Sequence, residues 1–191
     1  MGTLFVDKLD PQSGTALEIG SSGDTITIPS GATITNNGTQ TGFGEANTPA
    51  FLATLSADTS ITDDVITLIP ANNEVFDTDS AYNNGTYKFT PQTAGKYLVF
   101  VYAQCNASGA GQSGQFTSYI YKNGSAYCES ELSMADNAAS RLSATAISIV
   151  DMNGSSDYIQ GYVVNNVISG STTLKSDSNK KTRFGAFRII T

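Results

Sequence analysis

Histidine and tryptophan are absent from this chain of 191 residues, and cysteine occurs only twice. Without histidine there is no ordinary triad base, no imidazole metal ligand and no side chain that titrates near neutral pH. Two cysteines, Cys105 and Cys128, are too few for a disulfide framework. A bridge between them and a pair of partly buried thiols both stay open, because the spacing does not set their separation. Positive charge is scarce: 10 Lys and Arg stand against 17 Asp and Glu, a formal net charge of −7. That balance argues against a general nucleic-acid or anionic-membrane binder. No apolar run approaches the roughly 18 residues of a membrane-spanning helix. Met1 to Leu9 lacks the basic and apolar regions of a signal peptide, so export by the ordinary route is not expected.

What remains is rich in Thr, Ser, Asn and Gly, with nine Tyr and nine Phe as the large side chains. Such a mixture favours strands and turns over helices. Residues 1–45 and 46–191 read as different units. In the first, Leu4-Phe5-Val6, Leu17-Glu18-Ile19, Ile26-Thr27-Ile28 and Ile34 recur at roughly 8–12 residue spacing between Gly and Pro. The alternation is strand-like, yet these anchors are too few to offset the ordering entropy of a lone small domain. The segment is therefore expected to be ordered by copies of itself, as a narrow intertwined stalk, or by a host surface, rather than to be a tail. Any Gly-X-Y period is missing, which excludes a collagen triple helix.

From residue 46 onward strand patterns follow one another at about 50–57, 65–70, 74–77, 86–91, 95–105, 115–122, 126–132, 142–151, 157–165, 172–175 and 184–190. Asn123-Gly124 is the strongest hairpin signal. The pattern implies an all-β protein, a ten-stranded jelly-roll sandwich preceded by a short β-rich attachment segment. The strand after Gly95 is apolar on both faces: Tyr97, Val99, Val101 and Ala103 on one, Leu98, Phe100 and Tyr102 on the other. A free-standing antiparallel sandwich normally shows water one face, so a cover is expected on each: the opposite sheet and a neighbouring subunit. Tyr97, Leu98, Phe100, Tyr102, Tyr162, Phe184 and Phe187 are the candidates for core or subunit interface.

The order Pro49-Ala-Phe51, Phe89-Thr-Pro-x3-Gly95-x-Tyr97, Tyr121-Lys-Asn-Gly124, Asp157-Tyr-Ile and Phe184-Gly-Ala-Phe-Arg-Ile189 resembles the globular head of complement-related and tumour-necrosis-factor-like proteins, over about residues 48–191. That resemblance implies a ten-stranded jelly roll in a tight homotrimer. The family's closing pattern usually has Gly where Ala186 stands and an apolar residue where Arg188 stands. Upstream, Val6-Asp-Lys-Leu-Asp-Pro-Gln-Ser-Gly14, Leu17-Glu-Ile-Gly20 and Thr25-Ile-Thr-Ile-Pro-Ser-Gly-Ala-Thr-Ile34 resemble N-terminal segments of virion structural and tail-fibre proteins of marine bacteriophages.

Other candidates compete with plainer readings. Asp63-Asp64 and Asp77-Thr-Asp79 could offer oxygens to calcium, but no full calcium loop is present and solvated turn acids suffice. Asn-x-Ser/Thr occurs at Asn37, Asn84, Asn106, Asn123 and Asn153, and four of these are Asn-Gly, which is turn chemistry. Lys175, Lys180, Lys181, Arg183 and Arg188 gather in a late hairpin, as a docking patch or as charges that blunt an exposed edge. Tyr119, Tyr121 and Tyr127 are a sugar-stacking platform or packing residues. Asn106, Ser108, Gln112, Asp136 and Asn137 lie in small-residue loops suited to target binding. Leu4, Phe5, Val6, Leu17 and Ile19 are the candidate attachment anchors. Glu129 and Glu131 share a strand face roughly 6–7 Å apart, near the range of retaining glycosidases, with nothing else to support catalysis.

These residues point to a non-enzymatic homotrimer without cofactor. It is read as a bacteriophage surface appendage, a tail fibre or capsid-decorating head fibre, assembled in the host cytoplasm. Its partners would be itself, other virion proteins through residues 1–45, and a host surface glycan or protein, with no nucleic acid and no membrane insertion. A soluble lectin-like module of cellular origin and a glycan-degrading tailspike are the alternatives.

Overall fold

The computed structural model describes residues 9–11, 13–38, 47–107, 112–134, 139–176 and 181–189. The chain divides into two compact units, Met1–Phe43 and Gly44–Thr191. Among the described residues of the first unit there is no strand, contrary to its alternating pattern. A strand exists only by pairing, and the described residues of this segment pair with none.

The second unit holds thirteen strands among the described residues. They are β1 (Ala50–Thr54), β2 (Thr59–Ile61), β3 (Thr67–Leu68), β4 (Asn73–Asp77), β5 (Tyr82–Asn83), β6 (Lys88–Phe89) and β7 (Ala94–Ala107). There follow β8 (Gln112–Lys122), β9 (Ser125–Ser133), β10 (Arg141–Asn153), β11 (Ile159–Ser169), β12 (Thr172–Leu174) and β13 (Arg183–Arg188). The surplus over ten comes from two- and three-residue pieces such as β2 and β5, too short to show a period in sequence. All pairings between strands are antiparallel, and two sheets pack as a jelly-roll sandwich. The larger sheet runs β2-β12-β7-β13-β1-β4 with β10 on the other side of β7; the smaller runs β5-β6-β11-β8-β9 with β3 on β11.

β7 is the longest strand and the axis of the larger sheet. It pairs with β10 from Ala94 to Asn106, and on its other edge with β13 and then β12. Strict alternation sends Tyr97, Val99, Val101, Ala103 and Cys105 into the sandwich, where none is exposed. One half of the core is aromatic. Phe51 stacks on Tyr82 at 4.6 Å and on Phe89 at 4.4 Å, and meets Phe184 edge-on at 4.9 Å. The buried Tyr82 hydroxyl donates to the Ala71 carbonyl at 2.7 Å, so its polar tip is satisfied. Toward Cys105 the core turns polar: buried Asn165 donates to Ser113 at 3.1 Å and to Thr172 at 2.5 Å. Such directional bonds hold β8, β11 and β12 in one register where apolar packing alone would tolerate slippage.

Asn123 (φ 52°) and Gly124 (φ 81°) form the β8–β9 hairpin turn, as the Asn-Gly signal predicts. Asn123 is also a brace. Its amide donates to Asp157 Oδ1 at 2.8 Å, its carbonyl oxygen accepts from Tyr158 N, and Lys122 pairs with Asp157 at 2.9 Å. Asn153 works similarly, its side-chain oxygen accepting from the amides of Ser155, Ser156 and Asp157 at 3.0 Å each. Turn chemistry therefore accounts for these two glycosylation-like motifs.

Two outcomes are expected. Phe51→Ala removes the ring shared by three aromatic neighbours and should cost about 3–5 kcal/mol in urea denaturation. Hydrogen bonds from Asn123 first, then Lys122, hold the Asp157 carboxyl below its usual range. A depressed carboxylate stabilises above its unfolded value of about 3.9 and loses that contribution as pH falls through the folded value. Exchange of the hairpin-tip amides, corrected for intrinsic rate, should therefore accelerate below about pH 4. In Asp157→Asn it should already be fast at neutral pH.

Candidate functional site

The outward face of the larger sheet is a surface built by register. Directly opposed residues form a row from Ile147 (β10) through Phe100 (β7), Gly185 (β13) and Leu52 (β1) to Phe76 (β4). A second row runs Ile149, Leu98, Phe187 and Ala50. Ile147 is 56% exposed, Ile149 52% and Phe76 46%, while Leu98, Phe100 and Tyr102 are half-buried by their neighbours. Gly185 is a design feature of this face. A Cβ there would lie 2.6 Å from Phe100 Cζ and 2.9 Å from the Phe51 carbonyl oxygen, so its absence lets the Phe100 ring lie across the sheet. Charge is confined to the margins. Lys96 pairs with Asp151 at 2.8 Å beyond one row, and Arg183 lies 4.8 Å over the Tyr102 ring beyond the other. Between β10 and β13 the surface dips into a depression of about 520 Å³ lined by Leu52, Phe100, Tyr102, Thr145, Ile147 and Arg183. Apolar surface continuous over five strands, rimmed by charge, is the signature of an interface rather than of scattered exposed side chains.

The smaller sheet turns a different face outward. Tyr121 packs on Tyr162 at 4.2 Å between ring centroids and on Tyr119 at 6.0 Å. Burial raises the phenol pKa of Tyr119 and of Tyr162. Glu129 stands opposite Tyr119, and Glu131 accepts from the Gln115 amide at 2.6 Å. Tyr127 is not part of this cluster: a register shift beside Tyr121 turns it aside, and its hydroxyl donates to the Ile149 carbonyl on β10 at 3.3 Å. The third ring of the platform is Tyr162, which sequence spacing could not pair with Tyr121 and Tyr119, 41 and 43 positions away.

The remaining candidates fall as follows. Tyr97 and Phe184 are core; Leu98, Phe100, Tyr102 and Phe187 belong to the outward face of the larger sheet; Tyr162 is on that of the smaller one. Asn106 is the penultimate residue of β7, half-buried, and Gln112 opens β8. Ser108, Asp136, Asn137, Leu4, Phe5 and Val6 lie outside the described residues, as does Lys180. Leu17 and Ile19 are exposed.

The turn acids are engaged with backbone. Asp77 accepts from Tyr82 N at 2.7 Å, and Asp63 from Val167 N at 2.7 Å. Among the described residues no three acids or cysteines gather as a metal site. Of the late basic residues, Lys175 pairs with Asp58, whose carboxyl is held below its usual range by that contact first and by Ser176 N second. Both cysteines are free thiols on different sheets. Burial pushes the Cys105 thiol up to about 11.

No protein-family model and no curated protein sequence matches the chain. Its fold does match solved structures. Murine APRIL at pH 5.0 superposes with a TM-score of 0.54 at 12% identity, covering 73% of this chain and 98% of that one. The globular domain of zebrafish complement 1qA gives 0.52 at 13% identity over 74% and 97% of the two chains. The TNF Eiger from S. frugiperda gives 0.50 at 13% identity over 73% and 90%. The similarity lies in the fold, and nothing in these comparisons bears on the phage-like reading of residues 1–45.

Cys105 should resist iodoacetamide in the native protein at pH 8, where about a thousandth of a thiol of that pKa is ionised, while half-buried Cys128 is modified. Equal labelling rates by peptide mass spectrometry would contradict the placement of Cys105 in the core. The jelly-roll head of tumour-necrosis-factor-like and complement 1q-like proteins is thus the fold that the chain resembles, and the apolar face of its larger sheet is the candidate site.

Proposed function

We propose that the jelly-roll unit is a non-enzymatic head that assembles as a homotrimer through the outward face of its larger sheet. The observation that carries this is the uncharged row from Ile147 through Phe100 and Leu52 to Phe76. Five strands of apolar surface are costly to leave in water at about 25 cal/mol per Å². A closed ring of three copies covers that face on every subunit without leaving an open end. The likeness to TNF and complement heads supports the same arrangement. In the finer reading the protein is a virion surface appendage of a bacteriophage, assembled in the host cytoplasm. Residues 1–45 attach it to capsid or tail, and several heads turn weak contacts with a host surface into durable ones.

A second reading, a soluble lectin-like module of cellular origin, draws on the Tyr119–Tyr121–Tyr162 cluster with Glu129 and Gln115 beside it. Clustered rings flanked by hydrogen-bonding groups suit a neutral sugar. Removal of residues 1–45 separates the two readings. A head that still enters phage particles would contradict attachment through that segment.

The trimer has a sharper test. Wild-type protein should sediment at three times the 20.0 kDa monomer mass. Phe100→Asp, on the outward face, should give a folded monomer, whereas Val101→Asp, with no exposed surface, should unfold the chain. A wild-type monomer, or a Phe100→Asp trimer, would refute the assignment.

A further inference from the structure

The first unit contains a repeat. Ser22-Gly-Asp-Thr-Ile-Thr-Ile28 and Ser30-Gly-Ala-Thr-Ile-Thr-Asn36 are identical at five of seven positions, offset by eight residues. Ser13-Gly-Thr-Ala-Leu-Glu-Ile19 is a looser copy nine residues earlier, sharing the Ser-Gly and the final Ile. The glycine of each copy has the same left-handed backbone: φ is 80° at Gly14, 94° at Gly23 and 86° at Gly31. At the last two it lies at the third position of a turn, closed by Asp24 N to Ser21 O at 3.0 Å and Ala32 N to Pro29 O at 3.1 Å. That position of a type II turn requires positive φ. A turn therefore recurs in step with the sequence, and each is followed by a short β-branched stretch.

Those stretches are unpartnered. Ile26 is 60% exposed, Ile28 48% and Ile34 57%, and no residue from 13 to 38 belongs to a strand. Isolated β-branched segments of this kind have neither the ladder nor the packing that makes them stable. A surface that repeats at this spacing is matched along its length only by another with the same spacing, and the partner certain to have it is this chain itself. Charge allows such an approach from Thr25 onward, where no residue up to 44 is ionisable, and Glu18 and Asp24 are the acids of the earlier part. Identical copies can align in register there without facing like charges.

We infer that residues 13–36 are the strands of a stalk formed by three copies of this chain. Each repeat turns at its Ser-Gly and contributes one apolar layer: Leu17 and Ile19, then Ile26 and Ile28, then Ile34. Backbone groups that have no partner in one chain pair with those of the next, and the isoleucines of all copies close on a common axis. The number three rests on the trimeric head; self-pairing of the repeat does not.

Hydrogen exchange on the intact protein tests this beside its mass in solution. At concentrations where the protein is a trimer, the amides of 25–28 and 33–36 are expected to exchange at least about tenfold more slowly than free-chain rates. Substituting Ile26→Ser, Ile28→Ser and Ile34→Ser together should restore free-chain exchange there while the mass stays trimeric. A trimer whose wild-type repeats exchange freely overturns the stalk and leaves the head intact. Protection that survives the triple substitution also overturns it. A monomer with free exchange overturns both the stalk and the trimeric head.

Discussion

Everything in the second unit depends on β7 being apolar on both faces. One set, Tyr97 to Cys105 by alternate residues, is fully buried against the smaller sheet. The interleaved set, Leu98, Phe100 and Tyr102, becomes the middle of the outward surface. A strand that donates to β10 on one edge and to β13 and β12 on the other cannot rotate or slip to hide both sets within one molecule. The second face is left outward in the single chain. This constraint, rather than any pocket, links the fold to its proposed use.

The neighbours of β7 are adapted to that surface. Gly185 removes the one Cβ that would lift Phe100 off the sheet, and Leu52 and Ile147 flank it on either side. Charge appears only where the rows end, at Lys96–Asp151 and Arg183. Depletion of charge at the centre with a polar rim is the usual anatomy of a protein interface. The opposite sheet is organised differently, its tyrosines packed on one another beside two carboxylates.

Residues 1–45 show how far a pattern can be read without its partner. The alternation of Thr25 to Ile28 indicates a strand, and the single chain contains none there among its described residues. The pattern marks a surface suited to half-burial, and the described residues of this unit form no strand that would provide it. Turn glycines, by contrast, are already in place at Gly14, Gly23 and Gly31, because a turn needs nothing beyond its own four residues.

Period and local chemistry were legible directly: the all-β class, the two faces of β7, the Asn123-Gly124 hairpin and the turn use of Asn153 all follow from neighbours along the chain. Which face of β7 meets the core was decided only by the register of β10 and β13, since both faces are equally apolar in sequence. Register likewise brought Tyr162 to Tyr121, sent Tyr127 to Ile149, separated Cys105 from Cys128 and paired Lys175 with Asp58. Such contacts join residues distant in the chain, and side-chain type carries no information about sequence separation. The sequence alone therefore determined which surfaces have to be buried, and the tertiary structure decided which of them one chain can bury by itself.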